Sequence, residues 1–252
     1  MIVRVVLFYG LTFLLTMIFG GAQEATGLAT GWLTLPQLAP GLAALLMLLI
    51  FRRDGVRLSL SLRGVSLWRL AAGLVTPFAV AAIVYAILRP EPGVAAASWW
   101  LLLPGIAIGA LGEEVGWRGY LHQRLDPALA PLVSSALVGV LWGTWHVGLW
   151  ANGPVYMACL VVLMIAYSIV LYALLAGTGF NVWVAAAFHL GINLANLPFL
   201  GLISGAGPRF IAINAAVWAV VAAAVVLRRR DLFRWPGSAA GSETTVIADT
   251  GQ

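Results

Sequence analysis

The chain has no lysine, a single cysteine and few charges: Asp, Glu, Lys and Arg together make up 9% of its 252 residues. A soluble domain carries about 25% charged residues, so this one has too little polar surface for a water-soluble globule. The lone Cys159 excludes an internal disulfide and argues against a cysteine-based metal site; set in an apolar run, it reads as a packing residue. Without lysine, all fourteen basic residues are arginines, and the net charge is +5. That charge raises the question of an acidic partner such as nucleic acid. The arginines stand at the ends of apolar segments, however, and membrane topology explains them better. What fills the chain is hydrophobic, 62% of all residues, which is the composition of a multi-pass membrane protein.

A membrane-spanning helix needs about 20 mostly apolar residues. Eight such runs are present, at 3–22, 35–51, 70–88, 99–121, 132–151, 155–176, 180–199 and 209–227. They predict an all-α, polytopic fold: one multi-pass transmembrane domain over 1–234, with a motif-bearing core at 99–199. The tail 235–252 is rich in Gly, Ser, Ala and Thr and is expected to be disordered on the cytoplasmic side. With the N-terminus inside, Arg4, Arg52, Arg53, Arg57, Arg63, Arg69, Arg124, Arg228, Arg229, Arg230 and Arg234 all fall on the cytoplasmic side, against Arg89 and Arg209 outside. That bias predicts cytoplasmic termini in the plasma membrane of a bacterium. The stretch 52–68 has mixed polarity that suits a helix lying on the inner membrane face. The first run follows Arg4 as a signal peptide would, but it is longer than a usual signal core and seven more spans follow. Its retention is expected.

Glu113, Glu114 and Arg118 interrupt the apolar run 101–120. Each charge near a bilayer centre costs roughly 2.5–3.5 kcal/mol on insertion scales, so three of them need partners. Glu114 and Arg118 are four apart on one helix face and can form an internal ion pair. Glu113 is rotated by about 100° and points elsewhere, which suits a general base. Gly112 and Gly116 bracket the pair and permit close approach of another backbone. The plainer alternative is a charge cluster that only locks helices together. Two of the three histidines, His146 and His189, also sit in apolar runs. His146 follows Trp142 by four residues, and Asn193 follows His189 by four, so each pair shares a helix face. His122, near the inner end of its run, reads as interfacial.

The stretch Glu113–Arg118 resembles the EExxxR motif of the CAAX protease and bacteriocin-processing family, abbreviated CPBP and also called Abi. The stretch 142–146, WGTWH, is similar to that family's FxxxH motif with Trp in place of Phe. The stretch 189–193, HLGIN, is similar to its HxxxN motif. The resemblance covers about residues 99–199, with the motifs in the family's order, and it implies an intramembrane endopeptidase. It further implies that Glu113 and His146 activate water, that His189 and Asn193 stabilise the oxyanion, and that Glu114 and Arg118 support them. Metal content stays open. Glu113, His146 and His189 offer three ligands for a catalytic Zn²⁺ with a fourth position for water, whereas a metal-free glutamate mechanism uses the same residues. The expected partners are membrane lipids and a protein or peptide substrate arriving from the membrane or the cytoplasmic side, with no nucleic acid.

Two other readings compete. A non-enzymatic scaffold or bacteriocin-immunity factor would use the same polar cluster for packing or partner binding. A proton-coupled transporter would show two similar halves, and none is visible. One geometric difficulty accompanies the enzyme reading. Straight helices put Glu113 about 12 Å from the inner end of its run and His146 about 21 Å from the inner start of the next.

Overall fold

The computed structural model describes residues 1–28, 33–53, 55–63, 65–89, 99–199 and 208–234. In a bilayer, a backbone without water must satisfy its hydrogen bonds within the segment, and the apolar runs do so as helices. These are α1 (Ile2–Thr26), α2 (Ala39–Ile50), α3 (Leu67–Leu88), α4 (Trp99–Gly116), α5 (Pro131–Trp145), α6 (Pro154–Leu175), α7 (Val182–Asn196) and α8 (Arg209–Arg228). No strand occurs among the described residues. Each helix coincides with one of the eight apolar runs, and the chain is an all-α, polytopic membrane protein. Four helices, α1, α3, α6 and α8, are long and apolar enough to cross a membrane; α2, α5 and α7 are shorter apolar helices. The tail 235–252 lies outside the described residues.

Local chemistry sets several boundaries. Pro131 and Pro154 open α5 and α6, where a missing N–H costs nothing. The Asn181 side chain caps α7 by accepting from the backbone N–H groups of Trp183 and Val184. α4 does not stop at Gly116. It continues as a π-helical segment, Trp117–His122, and then as the short turn Gln123–Leu125. α5, by contrast, ends at Trp145 rather than near 151, and a 3-10 segment, Val147–Asn152, follows.

α6 is the central post, flanked by α5 and α8, while α7 packs on α3 and α4, and α2 joins α1 to α4. Glycines let neighbouring helices approach closely, among them Gly116 and Gly139. A Cβ on Gly116 would lie 2.6 Å from the Pro40 carbonyl oxygen of α2, and one on Gly139 of α5 would lie 2.6 Å from the Ile165 nitrogen of α6. Small residues on such faces let membrane helices gain dispersion contact. The peripheral helices turn apolar side chains outward, with Ile2 of α1 72% exposed; in a membrane that face meets lipid.

The stretch 52–68 is not an in-plane helix. Its described residues before Leu67 form no helix and run across the C-terminal end of the α4 continuation and the N-terminal end of α7. Ser59 O accepts from Val182 N, Ser61 O from Asn181 Nδ2, Leu60 O from Trp183 Nε1 and Arg57 O from Gln123 Nε2. The alternation of Val56, Leu58, Leu60 and Leu62 with Arg57, Ser59, Ser61 and Arg63 has period two, which favours extended chain over helix.

Candidate active site

The predicted depth mismatch between Glu113 and His146 shrinks because α4 differs from the drawn span. With α4 helical down to Leu125 and α5 starting at Pro131, Glu113 and His146 stand about 18 Å and about 22 Å from those ends, and Trp142, at about 17 Å, lies level with Glu113. Glu113 Oε2 accepts from Trp142 Nε1 at 2.8 Å. His146, one turn beyond Trp142, is the residue on which α5 ends, at φ −70° and ψ 61°.

The Glu113 carboxylate is held at both oxygens. Oε1 accepts from Gln37 Nε2 at 3.0 Å, Gln37 lying in the 3-10 turn Leu35–Leu38 that leads into α2. Each oxygen keeps a second lone pair for a proton. Glu114, rotated by about 100° along the helix, faces into the bundle and is fully buried. Arg118 Nη1 donates to Glu114 Oε1 at 2.8 Å and to Oε2 at 3.1 Å, and Arg118 Nη2 donates to Ser168 Oγ of α6 at 3.0 Å. Glu114 Oε1 also accepts from His189 Nδ1 at 2.8 Å. The division of the acidic pair into an ion-paired Glu114 and a separately held Glu113 matches what the spacing predicts.

Trp142 ties the two halves together. The Arg118 guanidinium sits over its ring, 4.3 Å from the centre, a cation–π contact. The His189 ring meets the same indole edge-on with centres 5.2 Å apart.

The hydrogen bonds fix the histidine tautomers. His146 Nδ1 lies 2.8 Å from the Trp142 carbonyl oxygen. A carbonyl only accepts, so Nδ1 carries the hydrogen and Nε2 of the neutral ring holds the basic lone pair. Glu114 likewise takes the Nδ1 hydrogen of His189, which leaves Nε2 to accept when the ring is neutral and to donate when it is protonated. His146 stands between two spaces. An open cleft of about 770 Å³ is lined by Glu113, Gln37, Trp145 and His146. A smaller cavity of about 140 Å³ is lined by His146, His189, Asn193 and, beyond them, Asn196, Asn214 and Tyr167.

The sequence motifs thus supply Glu113, Glu114, Arg118, His146, His189 and Asn193, all of which come to this one region. Sequence reasoning missed three contributors. Gln37 and Ser168 are single small polar groups in apolar runs, with no motif to mark them. Trp142 was visible only as an aromatic, and its N–H is what matters. His122 is fully buried rather than interfacial, with its ring 5.4 Å from that of Tyr172 and 5.0 Å from that of Phe180.

A Zn²⁺ on Glu113, His146 and His189 requires the three to converge on one point. Among the described residues no group of three His, Cys, Asp or Glu side chains could hold a metal ion, so the donor set in this arrangement does not fit such a site.

Residues 95–195 match the family described as type II CAAX prenyl endopeptidase Rce1-like. That segment holds α4 to α7 nearly complete, with all three motifs. The chain is also 24% identical over 205 residues to lysostaphin resistance protein A from two strains of Staphylococcus epidermidis; the alignment covers 76% of this chain and 53% of those proteins. The chain spans about half the length of these curated relatives. Together with the three motifs and the helices that carry them, these matches make the chain similar, over residues 95–195, to the type II CAAX prenyl endopeptidase Rce1-like family, with a weaker likeness to lysostaphin resistance protein A.

Proposed function

We propose that this protein is an intramembrane endopeptidase that hydrolyses a peptide bond of a membrane-associated protein or peptide, using water activated by Glu113 and His146. One observation carries the reading: Glu113 and His146 line the same cleft, with His189 and Asn193 on the cavity immediately behind His146. A water molecule between Glu113 and His146 gives up a proton to this pair as its oxygen bonds to the scissile carbonyl carbon. The carbonyl oxygen becomes an oxyanion, which Asn193 Nδ2 and the doubly protonated His189 stabilise by donation. As the intermediate collapses, the C–N bond breaks and the proton passes from the pair to the leaving nitrogen, giving a carboxylate and an amine. Glu114 and Arg118 act through others: they fix the His189 ring and hold Trp142 against Glu113. The arginine distribution supports cytoplasmic termini and a bacterial plasma membrane.

The test uses purified full-length protein in proteoliposomes and a panel of quenched-fluorescence peptides, prenylated and unprenylated. Glu113→Gln is expected to keep the wild-type melting temperature and to lose about 10²–10⁴-fold in cleavage rate. Equal cleavage by both proteins rejects the assigned role of Glu113. No cleavage of any peptide by wild type, at substrate concentrations that saturate the liposomes, rejects the protease reading for these substrate classes.

A further inference from the structure

We infer that the substrate peptide reaches Glu113 from the extracytoplasmic side of the membrane, through the cleft at the end of the bundle opposite its arginines. This rests on the protease reading for what passes through, but not for the direction of passage.

The bundle has two chemically different ends. One gathers the N-terminus, the stretch 55–63, the α4–α5 connection and the α6–α7 turn: Met1, Gly55, Gln123 and Gly179 surround a common cavity, and Arg57 and Ser59 accept from Gln123 and Val182. Phe233, after α8, packs against Tyr172 at this same end, with ring centres 5.5 Å apart. Arg4, Arg52, Arg53, Arg57, Arg63, Arg69, Arg124 and the arginines after α8 therefore share one face, and the positive-inside rule makes it cytoplasmic. The opposite end holds the C-terminal half of α1, the turn before α2 and the 3-10 segment after α5. Gln23 ties the first two together, donating to Leu33 O and accepting from Leu35 N, each at 2.9 Å.

The cleft belongs to this second end. Glu113 and Gln37 form its floor, and its mouth lies between Gly20–Glu24 of α1 and Val147–Leu149. Its volume of about 770 Å³ is within the roughly 300–1,000 Å³ usual for ligand sites. From the arginine end the way is closed, since Trp117, Arg118, Tyr120, Leu121 and His122, stacked below Glu113, are each 0% exposed. The early end of α5 at Trp145 is what opens the outer side.

Among the described residues the mouth is also kept bare: a Cβ on Gly20, Gly21 or Gly148 would meet none of their atoms within 4 Å. These glycines therefore do not serve helix packing, as Gly116 and Gly139 do; their smallness leaves room. The substrate class that follows is a secreted or translocated peptide, or an extracytoplasmic segment of a membrane protein. This proposal differs from the sequence-based expectation of access from the membrane or the cytoplasmic side.

Labelling with a membrane-impermeant maleimide tests the direction without any substrate. In a Cys159→Ala background, Gly148→Cys is expected to label in intact bacterial cells, and Ala128→Cys, at the arginine end, only after permeabilisation. Labelling of Ala128→Cys in intact cells, or failure of Gly148→Cys to label there, overturns the inference. The second arm fills the mouth: Gly21→Leu and Gly148→Leu are expected to keep the melting temperature and to cut cleavage of externally added peptide by about 10-fold or more. Unchanged rates in both variants also overturn it. If labelling follows the expected pattern and wild type cleaves no peptide, the protease reading fails and the direction of access stands.

Discussion

A family motif with Phe at the position of Trp142 offers the histidine's face an aromatic ring but no N–H. Here the indole N–H reaches Glu113 Oε2 at 2.8 Å, while the Gln37 amide reaches Oε1 at 3.0 Å. Two donors hold the carboxylate in one orientation toward the cleft. Hydrogen bonds to charged groups contribute about 1.5–3 kcal/mol each. Trp142→Phe and Gln37→Met are therefore each expected to lower kcat by about 10-fold or more, with KM little changed. Gly109→Ala provides a separate check, because its Cβ would sit 2.8 Å from Gln37 Cδ and push that flexible side chain away. It should reproduce the Gln37→Met defect and add nothing to it in the double variant; additive losses would show that Gln37 acts otherwise. The ion pair behind the site is tested by stability. Arg118→Met strands the fully buried Glu114 and is expected to cost about 3–5 kcal/mol, read as a lowered melting temperature in detergent. Arg118→Met with Glu114→Gln should recover much of that loss. The motif residues were legible because ionised and imidazole groups are conspicuous in apolar sequence. Gln37, Trp142 and Ser168 were not, because amides, indoles and hydroxyls occur in apolar helices for many reasons, and only the fold shows which of them has a carboxylate or guanidinium in reach.

At the scale of the elements, the eight helices follow directly from apolar runs punctuated by Pro, Gly and Arg. What the runs do not encode is where a helix stops inside the membrane. The end of α5 at Trp145 and the π-helical turn of α4 are set by packing: Trp145 Nε1 donates to Thr16 Oγ1 of α1 at 2.7 Å, and every residue of the π segment is buried. π-turns concentrate at functional sites, and this one lies directly below the acidic pair. The stretch 52–68 was misread for a different reason, its mixed polarity being taken for an in-plane helix when the alternation over 56–63 has period two. Close packing of α5 on α6 gives a sharp prediction. Gly139→Ala places a methyl group against the backbone of Ile165, and a backbone cannot move aside as a side chain can. The helices must separate, at a cost of about 1–3 kcal/mol, whereas Gly20→Ala, which meets open space, should leave the melting temperature unchanged or raise it.

At the scale of the whole molecule, the site sits where the bundle is thinnest. α5 and α7 carry Trp142, His189 and Asn193, and each has 15 residues. Each is therefore about 22 Å long, against a hydrocarbon core of about 30 Å. The neighbouring α1, α3 and α6 have 25, 22 and 22 residues, long enough to span. Short helices at the site beside long ones are expected to depress the bilayer locally. That brings water and the polar parts of a substrate to Glu113 without moving any helix, and mismatch of this kind costs fractions of a kcal/mol per Å. Thickening the membrane should oppose it. Cleavage in proteoliposomes of long-chain phosphatidylcholine is therefore expected to be several-fold slower than in short-chain lipid, with the melting temperature shifted far less than the rate. Insensitivity to chain length would mean that water reaches Glu113 through the cleft alone, and that the shortness of α5 and α7 serves packing rather than hydration of the site.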